Sequence, residues 1–295
     1  MTRIKKESSI TSMAAGMLPA AVVKSGETVV FETMDAFGGQ IKTADNVFSQ
    51  IGWDQVNPAA GPLFVEGAEP GDCLKVEILE ITPGDKAVMI LAPGFGVMDM
   101  PREVSYIFDI KDGQFIFDDK IKLKVNPMIG VIGTAPAGEP VPTGTPGPHG
   151  GNMDTNRITT GSVVYLPVNV PGALLSLGDL HAVMGDGEVC VCGAEISGEA
   201  VVKVTVLKSF NAPLPLLIAG GEVITVSSAP LLDDAAKTAV KNMHEFLVHL
   251  GLDKEKAAML LSLSGNLRIS QVVDPLMTAR MEFPLWILEE YGIRL

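Results

Sequence analysis

Polar and apolar side chains alternate along Cys73-Leu74-Lys75-Val76-Glu77-Ile78-Leu79-Glu80-Ile81, the pattern of a strand with one buried face. The same alternation recurs in residues 27–33, 120–125 and 201–207. Turn signals rich in glycine and proline separate these segments. The chain holds 31 glycines and 20 prolines, which would interrupt a helical protein repeatedly. The first two-thirds of the chain is therefore predicted to be β-structure.

Helical periodicity appears only near the C-terminus. Over residues 233–250 the apolar side chains recur at helical spacing, and Gly251 ends the pattern. The positions are Ala236, Val240, Met243, Leu247 and Leu250. Asp253 is predicted to cap a second helix over residues 254–264, which Gly265 closes.

The composition predicts a large hydrophobic core and excludes some partners. The chain has 295 residues, of which 47% are hydrophobic and 19% charged. Its net charge of −13, from 22 basic and 35 acidic residues, would repel nucleic acid and anionic lipid. No Pro-rich linker separates the helices from the strands. We therefore predict a single domain over residues 1–295, β-rich over 1–230 and with its helices within 233–264.

The chain carries no signal for export or membrane insertion. No apolar run is long enough for a signal peptide or a spanning helix, so no membrane partner is expected. The three cysteines are an odd number and imply no disulfide framework. We expect a cytoplasmic protein that forms a homo-oligomer. In a strand, Cys190 and Cys192 would share one face, and packing as small hydrophobes is favoured over metal binding.

Histidines and carboxylates cluster in two glycine-rich segments. His149 and His181 are two of only four histidines, and they lie in residues 147–154 and 178–188. These side chains bind metals of the zinc class and move protons near neutral pH. The first segment is predicted to be a loop, and a second loop is predicted to carry Asp179 and His181, which would point the same way in an extended chain. The predicted metal ligands are His149, Asp154, Asp179 and His181, with Glu188 as the proton acceptor.

Other polar residues of these segments have two interpretations each. Asn152 and the Gly150–Gly151 backbone are predicted to stabilise a developing oxyanion, although Asn152 could equally adopt a left-handed turn. Asp186 is favoured as a turn residue, because Gly-Asp-Gly is common in turns. A His-Gly-Gly motif also occurs near hydrolase oxyanion holes, but no Gly-x-Ser-x-Gly accompanies it here. His244 and His249 lie beside the helical stripe, where we expect them to flank the helix.

Four blocks together resemble the acetamidase/formamidase family. They are residues 33–41, 56–68, 147–154 and 178–188, and the resemblance extends from about Thr33 to Pro275. The chain departs from the family pattern at Met184, where a glutamine is expected. The resemblance implies a mainly β fold: a β-sandwich-like core elaborated with α/β structure and a helical segment near the C-terminus.

The resemblance also implies a function. It is hydrolysis of the C–N bond of a small carboxamide, or of a lactam, to carboxylate and ammonia. A divalent metal, with zinc as the first choice, fits both the family and the residues. Asp35, at a strand end before Gly38-Gly39, could join the site, contact the substrate NH₂, or only initiate a turn.

Two other functions stay open at the level of sequence. One is an amidase whose nucleophile is Cys190 or Cys192 with His181, which needs an exposed thiolate although Val189 and Val191 suggest burial. The other is a non-catalytic protein in which the histidines hold a structural metal or simply pack.

Overall fold

The computed structural model describes the backbone of residues 1–295 and every side chain except that of Trp53. The strands, in chain order, are Thr2–Ile4 (β1), Ser9–Ile10 (β2), Ser12–Met13 (β3), Ala21–Lys24 (β4), Thr28–Thr33 (β5), Ala59–Glu66 (β6), Cys73–Pro83 (β7), Lys86–Leu91 (β8), Val104–Lys111 (β9), Gln114–Ile116 (β10), Lys122–Lys124 (β11), Met128–Gly133 (β12), Val141–Pro142 (β13), Gly150–Asn152 (β14), Val163–Pro167 (β15), Leu175–His181 (β16), Glu195–Ile196 (β17), Gly198–Leu207 (β18), Leu216–Ala219 (β19), Glu222–Ala229 (β20), Asn266–Gln271 (β21) and Met277–Pro284 (β22). The α-helices are Leu232–His249 (α1), Lys254–Ser264 (α2) and Leu285–Glu290 (α3). Short 3-10 helices cover Lys6–Ser8, Phe48–Gln50 and Trp53–Gln55.

Two large sheets form the body of the molecule. A nine-stranded sheet has the order β1-β5-β18-β7-β15-β19-β20-β22-β21. An eleven-stranded sheet runs β11-β10-β9-β8-β17-β16-β12-β14, and β6 joins it by pairing with β16, β2 and β4. The strands β13 and β3 form a separate pair.

The main core lies between the inner faces of the two sheets. In β18 the buried residues Ala200, Val202 and Val204 alternate with more exposed neighbours, as expected when one face of a strand packs on a core. They share one hydrophobic cluster with Leu177 and Leu180 of β16 in the other sheet. This packing of two sheets confirms the predicted mainly β, sandwich-like fold.

The helices α1 and α2 pack on one end of the first sheet and match their predicted bounds closely, whereas α3 lies outside the predicted helical range of 233–264. The buried stripe of α1 is Ala235, Ala239, Met243, Phe246 and Leu247, and at its start it is displaced by one residue from the predicted stripe. The cluster that contains it includes Val223 of β20 and Phe283 of β22. The Asp253 side chain accepts a hydrogen bond of 3.0 Å from the Lys256 N–H, which confirms the predicted cap.

Gly265 ends α2 for a different reason from the one predicted. It is not left-handed; instead, a Cβ there would lie 2.3 Å from Cε of Met281 and 2.8 Å from the carbonyl oxygen of Leu261. Close packing, rather than backbone conformation, therefore requires a glycine. Gly251, at φ 101°, does have the left-handed conformation that favours glycine.

Two local predictions were wrong. Residues 150–152 form the short strand β14 beside β12 instead of a loop, because their backbone pairs with Val131 and its neighbours. Asp179 and His181 belong to the buried strand β16 instead of a loop. Cys190 and Cys192 lie outside the strands, and both pack in or against a hydrophobic cluster, as the favoured interpretation expected.

No helix in the described part of the chain is both long and apolar enough to cross a bilayer.

Candidate metal centre

His181 lies in the middle of the second sheet. It ends β16, where Met128 of β12 pairs with it on one side and Glu195 of β17 on the other. Its side chain is buried. A histidine in this position is fixed by backbone pairing on both sides, so its ring has little freedom to move.

Four carboxylates surround one nitrogen of that ring. The distances from His181 Nε2 are 3.1 Å to Glu195 Oε1, 3.6 Å to Asp179 Oδ1, 3.7 Å to Asp154 Oδ1 and 3.9 Å to Glu188 Oε1. All four acidic residues are buried, with Glu188 the most exposed at 7%. We call these five residues the centre.

The donor atoms of the centre fall into two overlapping groups. In each group the potential ligand atoms lie within 4.8 Å of one another: one group is Asp154, His181 and Glu188, and the other is Asp179, His181 and Glu195. Both groups share the histidine. The centre thus converges on the region in front of Nε2.

Several atoms of the centre are buried without a hydrogen-bond partner. They are His181 Nε2, Asp154 Oδ1, Asp179 Oδ1, Glu188 Oε2 and Glu195 Oε2. Unsatisfied buried polar atoms are rare and call for an explanation such as an ion. Each of the five residues of the centre contributes one such atom, which is the pattern expected of a site for a positively charged ion.

The donor set fits a divalent metal ion. Such ions bind imidazole nitrogen and carboxylate oxygen at about 2.0–2.2 Å, so two ligands of one ion lie roughly 3–4 Å apart. The separations of 3.1–3.9 Å around Nε2 fall in that range. Imidazole suits zinc, whereas carboxylates also suit magnesium, calcium and manganese.

Met184 contacts the other ring nitrogen of His181. Its Sδ lies 3.3 Å from His181 Nδ1. A thioether sulfur can only accept a hydrogen bond, so we assign the ring hydrogen to Nδ1. This leaves the Nε2 lone pair for a metal. The departure from the family pattern at Met184 therefore lies in direct contact with the centre.

Burial and mutual repulsion raise the pKa values of Asp154, Glu188 and Glu195. Burial, reinforced by the charge of Asp179, raises the pKa of Asp154 to about 7. Burial is also the main cause that raises the pKa of Glu188 and of Glu195 well above the ordinary value. For His181 burial lowers the pKa, but Glu195 and Asp179 outweigh it and leave the pKa well above 6.5. Every one of these shifts favours added positive charge.

Backbone strain is concentrated in the same residues. Asp154, Asp179 and Glu188 have φ values of 39°, 56° and 46°. Residues with side chains avoid this left-handed region, and each instance costs about 1–3 kcal/mol. Three of the four carboxylates of the centre therefore belong to residues whose backbone has an unfavourable conformation, which the surrounding structure must stabilise.

His149 and Asp35, two other predicted site residues, are not part of the centre. His149 is in neither group of potential ligands; it is buried near Gly147 and Gly151, and burial lowers its pKa to about 4. Asp35 initiates a turn, since its Oδ1 accepts hydrogen bonds from the N–H groups of Phe37 and Gly39 at 2.9 and 3.0 Å.

Asn152 borders the centre and is held by an acidic residue. Its Nδ2 donates a hydrogen bond of 3.1 Å to Asp274 Oδ2, while its Oδ1 is buried without a partner. The predicted oxyanion donors are not all available, because the Gly150 N–H already donates to the Gly147 carbonyl oxygen.

Sequence reasoning missed Glu195 and Asp274. Glu195 reaches His181 only through the pairing of β17 with β16, and the one signal in the sequence was a carboxylate between Ala194 and Ile196. Burial and the nearby Asp154 raise the pKa of Asp274 well above its ordinary value. Neither residue lies in a histidine-containing motif.

The centre forms part of the wall of an open pocket. The cavity has a volume of about 520 Å³, and Asn152 and Asp274 line it together with all four carboxylates of the centre. Apolar side chains, among them Phe37, Phe48 and Ile90, also line the cavity. A concave site with a few convergent polar groups is the usual form of a small-molecule site.

Fold and site together define a β-sandwich protein with a buried histidine–carboxylate centre at a small-molecule pocket. A sequence profile of the Acetamidase/Formamidase family matches residues 15–141 and 137–290. The chain belongs to that family.

The chain is similar to several known proteins, and the share of each protein that it covers differs. The formamidase of Methylophilus methylotrophus is 29% identical over 249 residues, which cover 64% of this chain and 61% of that protein. The chain spans less than two thirds of the length of the curated relatives that it matches. The crystal structure of acetamidase from Bacillus halodurans is 47% identical with a TM-score of 0.97, covering 99% of this chain and 100% of that one. A γ-lactamase from Delftia acidovorans is 25% identical with a TM-score of 0.67, over 95% and 89%.

Proposed function

We propose that this protein hydrolyses the C–N bond of small carboxamides to a carboxylate and ammonia, with the help of one divalent metal ion, zinc as first choice. The observation that carries the proposal is the set of four buried carboxylates around His181 Nε2 at the wall of the pocket. Membership of the family supports the reaction, and the names of relatives support linear amides as substrates.

The proposed ligands are His181, Asp154, Asp179 and Glu195. They are the least exposed donors of the centre, and the Nδ1 contact with Met184 holds the ring so that Nε2 faces the three carboxylates. When bound, the ion would lower the pKa of a water molecule and polarise the amide carbonyl. His149, predicted as a ligand from the sequence, has no part in this set.

Glu188 is the proposed base. Its Oε1 is the donor atom farthest from Nε2 and its side chain is the most exposed of the four. It takes a proton from the attacking water as the new C–O bond forms, and returns that proton to the nitrogen as the C–N bond breaks, so that ammonia leaves. Burial and Asp154 hold the Glu188 pKa high, which suits an acid–base group that works near neutral pH.

Asn152 is the proposed polar contact for the amide group. It lines the pocket beside Asp274, which orients its Nδ2. Nδ2 carries a second hydrogen, which could donate to the carbonyl oxygen as that oxygen gains charge. The likeness to a γ-lactamase makes cyclic amides a second substrate class to test.

A cysteine mechanism has less support than the metal mechanism. Cys192 is buried, its Sγ accepts from the Ile90 N–H at 3.3 Å, and its neighbour Cys190 helps to raise its pKa. A hydrogen bond from Cys192 lowers the pKa of Cys190 to about 6. In the described part of the chain neither sulfur joins a group with His181, and a nucleophilic cysteine needs such a base.

The proposal is tested by ammonia release from formamide and acetamide, before and after chelation. We expect turnover that chelation abolishes and added zinc restores, with near-normal turnover in Cys190→Ser and Cys192→Ser. Full activity of a metal-free preparation would rule out the metal mechanism. Loss of turnover in a cysteine variant that retains its metal would favour the cysteine nucleophile.

A further inference from the structure

We propose that the pocket selects neutral amides with a compact apolar acyl group larger than acetyl, and excludes amides that carry a carboxylate. The inference rests on the proposed amide hydrolysis and adds the substrate class. Its basis is the size of the pocket, its aromatic wall and the charges that line it.

The pocket is much larger than the smallest amides require. A water molecule fills about 30 Å³ of the liquid, so acetamide needs roughly 120 Å³ on that scale. The cavity measures about 520 Å³. Even with an ion and several waters bound, space remains for a larger acyl group.

That remaining space has an apolar wall built from aromatic rings. Phe37, Phe48 and Phe95 line it. The rings of Phe48 and Phe95 meet edge to face at 5.2 Å, and those of Phe37 and Phe48 at 6.2 Å. Phe37 and Phe48 belong to a buried cluster together with Ile90. The wall is therefore part of a packed core, and it offers a preformed surface for apolar groups.

The charges that line the pocket all have one sign. Among the lining side chains that the structure describes, the charged ones are acidic: Asp154, Asp179, Glu188, Glu195 and Asp274. No lysine, arginine or histidine accompanies them in that lining. The three carboxylates proposed as ligands already exceed the charge of one divalent ion, and the lining holds no basic side chain, so a carboxylate on the substrate would be repelled.

These features favour aliphatic branched or aromatic amides such as isovaleramide, isocaproamide and benzamide. Each buried methylene contributes about a fourfold gain in apparent affinity. Succinamate has nearly the same shape as isocaproamide, with a carboxylate in place of the isopropyl group. The pair therefore separates the effect of charge from the effect of size.

The test measures kcat/KM for formamide, acetamide, isovaleramide, isocaproamide, benzamide and succinamate on the metal-loaded protein. We expect isovaleramide and isocaproamide to exceed acetamide by about tenfold or more, and succinamate to fall below isocaproamide by at least a similar factor. A preference for formamide or acetamide over every larger amide would overturn the inference and leave the amidase function intact. Succinamate turned over as fast as isocaproamide would overturn the charge argument.

Binding of the same compounds, measured by calorimetry, keeps the inference testable apart from catalysis. If no amide releases ammonia, the proposed function fails, and the order of binding decides whether the pocket prefers apolar neutral amides. Tighter binding of isocaproamide than of acetamide and succinamate supports the inference, and any other order contradicts it.

Two variants locate the preference in the pocket. Ala36 is buried and lines the cavity, so Ala36→Leu should lower the isocaproamide-to-acetamide ratio of kcat/KM about tenfold, whereas the exposed control Ala258→Leu should not change it. Thr11 is an exposed lining residue, and Thr11→Lys should raise the succinamate-to-isocaproamide ratio. Unchanged ratios in both variants would place the selection elsewhere.

Discussion

Glu188 differs from the other carboxylates around His181 in distance and exposure. Its Oε1 lies 3.9 Å from Nε2, and 7% of its surface is exposed against 1–2% for Asp154, Asp179 and Glu195. A carboxylate at the open side of the centre can reach a water molecule that enters from the pocket. The same group is poorly placed to be the tightest ligand.

The first prediction separates these roles. Glu188→Gln should retain the metal and lose about 10²–10⁴-fold in kcat, because a glutamine cannot carry the proton. Asp179→Asn should instead lose most of the metal. The checks are metal content by elemental analysis and kcat for acetamide, with the exposed Glu139→Gln as control. A wild-type kcat for Glu188→Gln would remove it as the base.

The sequence identified those residues of the centre that its motifs contain. Asp154, Asp179, His181 and Glu188 all lie in glycine-rich blocks in which histidine and carboxylates recur. Glu195 was not predicted, because its contact with His181 depends on the pairing of β17 with β16. His149 lies in a motif of the same kind, but its ring lies outside both groups of donors. Proximity in three dimensions is set by strand register, which one sequence does not reveal.

At the scale of elements, β12 supplies the space that the centre occupies. A Cβ on Gly130 would lie 2.3 Å from Asp154 Oδ1 and 2.7 Å from Asp179 Oδ2. These distances are far shorter than any real contact, so the two carboxylates can approach each other only across a glycine. The positions of these two carboxylates therefore depend on a glycine at residue 130 of β12.

The second prediction follows from that contact. Gly130→Ala should displace the Asp154 and Asp179 carboxylates, lower metal occupancy and destabilise the fold by about 1–3 kcal/mol. Gly138→Ala is the matched control, because nothing lies within 4 Å of a Cβ at that position. Metal content and the free energy of unfolding are the measurements. Normal occupancy in Gly130→Ala would show that the centre does not depend on this close packing.

The elements themselves were predicted with uneven success, for physical reasons. The alternation in residues 73–81 became β7, and the cap at Asp253 became the start of α2. Buried β16 has every side chain covered on both faces, so it lacks the alternation that reveals a half-buried strand. Strand β14 contains two glycines, and its pairing with β12 is a long-range event. Local patterns therefore predict half-exposed strands and amphipathic helices, but not strands that are buried on both faces.

At the scale of the whole molecule, the centre should make stability depend on pH. The pKa of Asp154 is raised to about 7 in the folded protein, against about 3.9 in an unfolded chain. Between these values the folded state holds more protons than the unfolded state, so stability falls as pH rises. The raised pKa values of Glu188, Glu195 and His181 act in the same direction.

The third prediction is that the Tm of the metal-free protein falls from about pH 5 to 8, as these groups lose their protons. Metal binding requires the deprotonated carboxylates and releases protons. The rise in Tm on adding zinc should therefore be larger at pH 8 than at pH 5. Differential scanning calorimetry across this range is the measurement. An equal rise in Tm at both pH values would mean that the ion does not bind these carboxylates.

Titration of the metal-free protein with zinc, following acetamide hydrolysis and bound metal together, tests the central claim most directly. The account predicts no turnover without metal and a rate that rises in proportion to occupancy until one ion is bound per chain. It also predicts that His181→Ala, under the same titration, gains neither bound metal nor activity at stoichiometric zinc. A full rate of acetamide hydrolysis before any metal is bound would contradict the account. So would hydrolysis by metal-free His181→Ala.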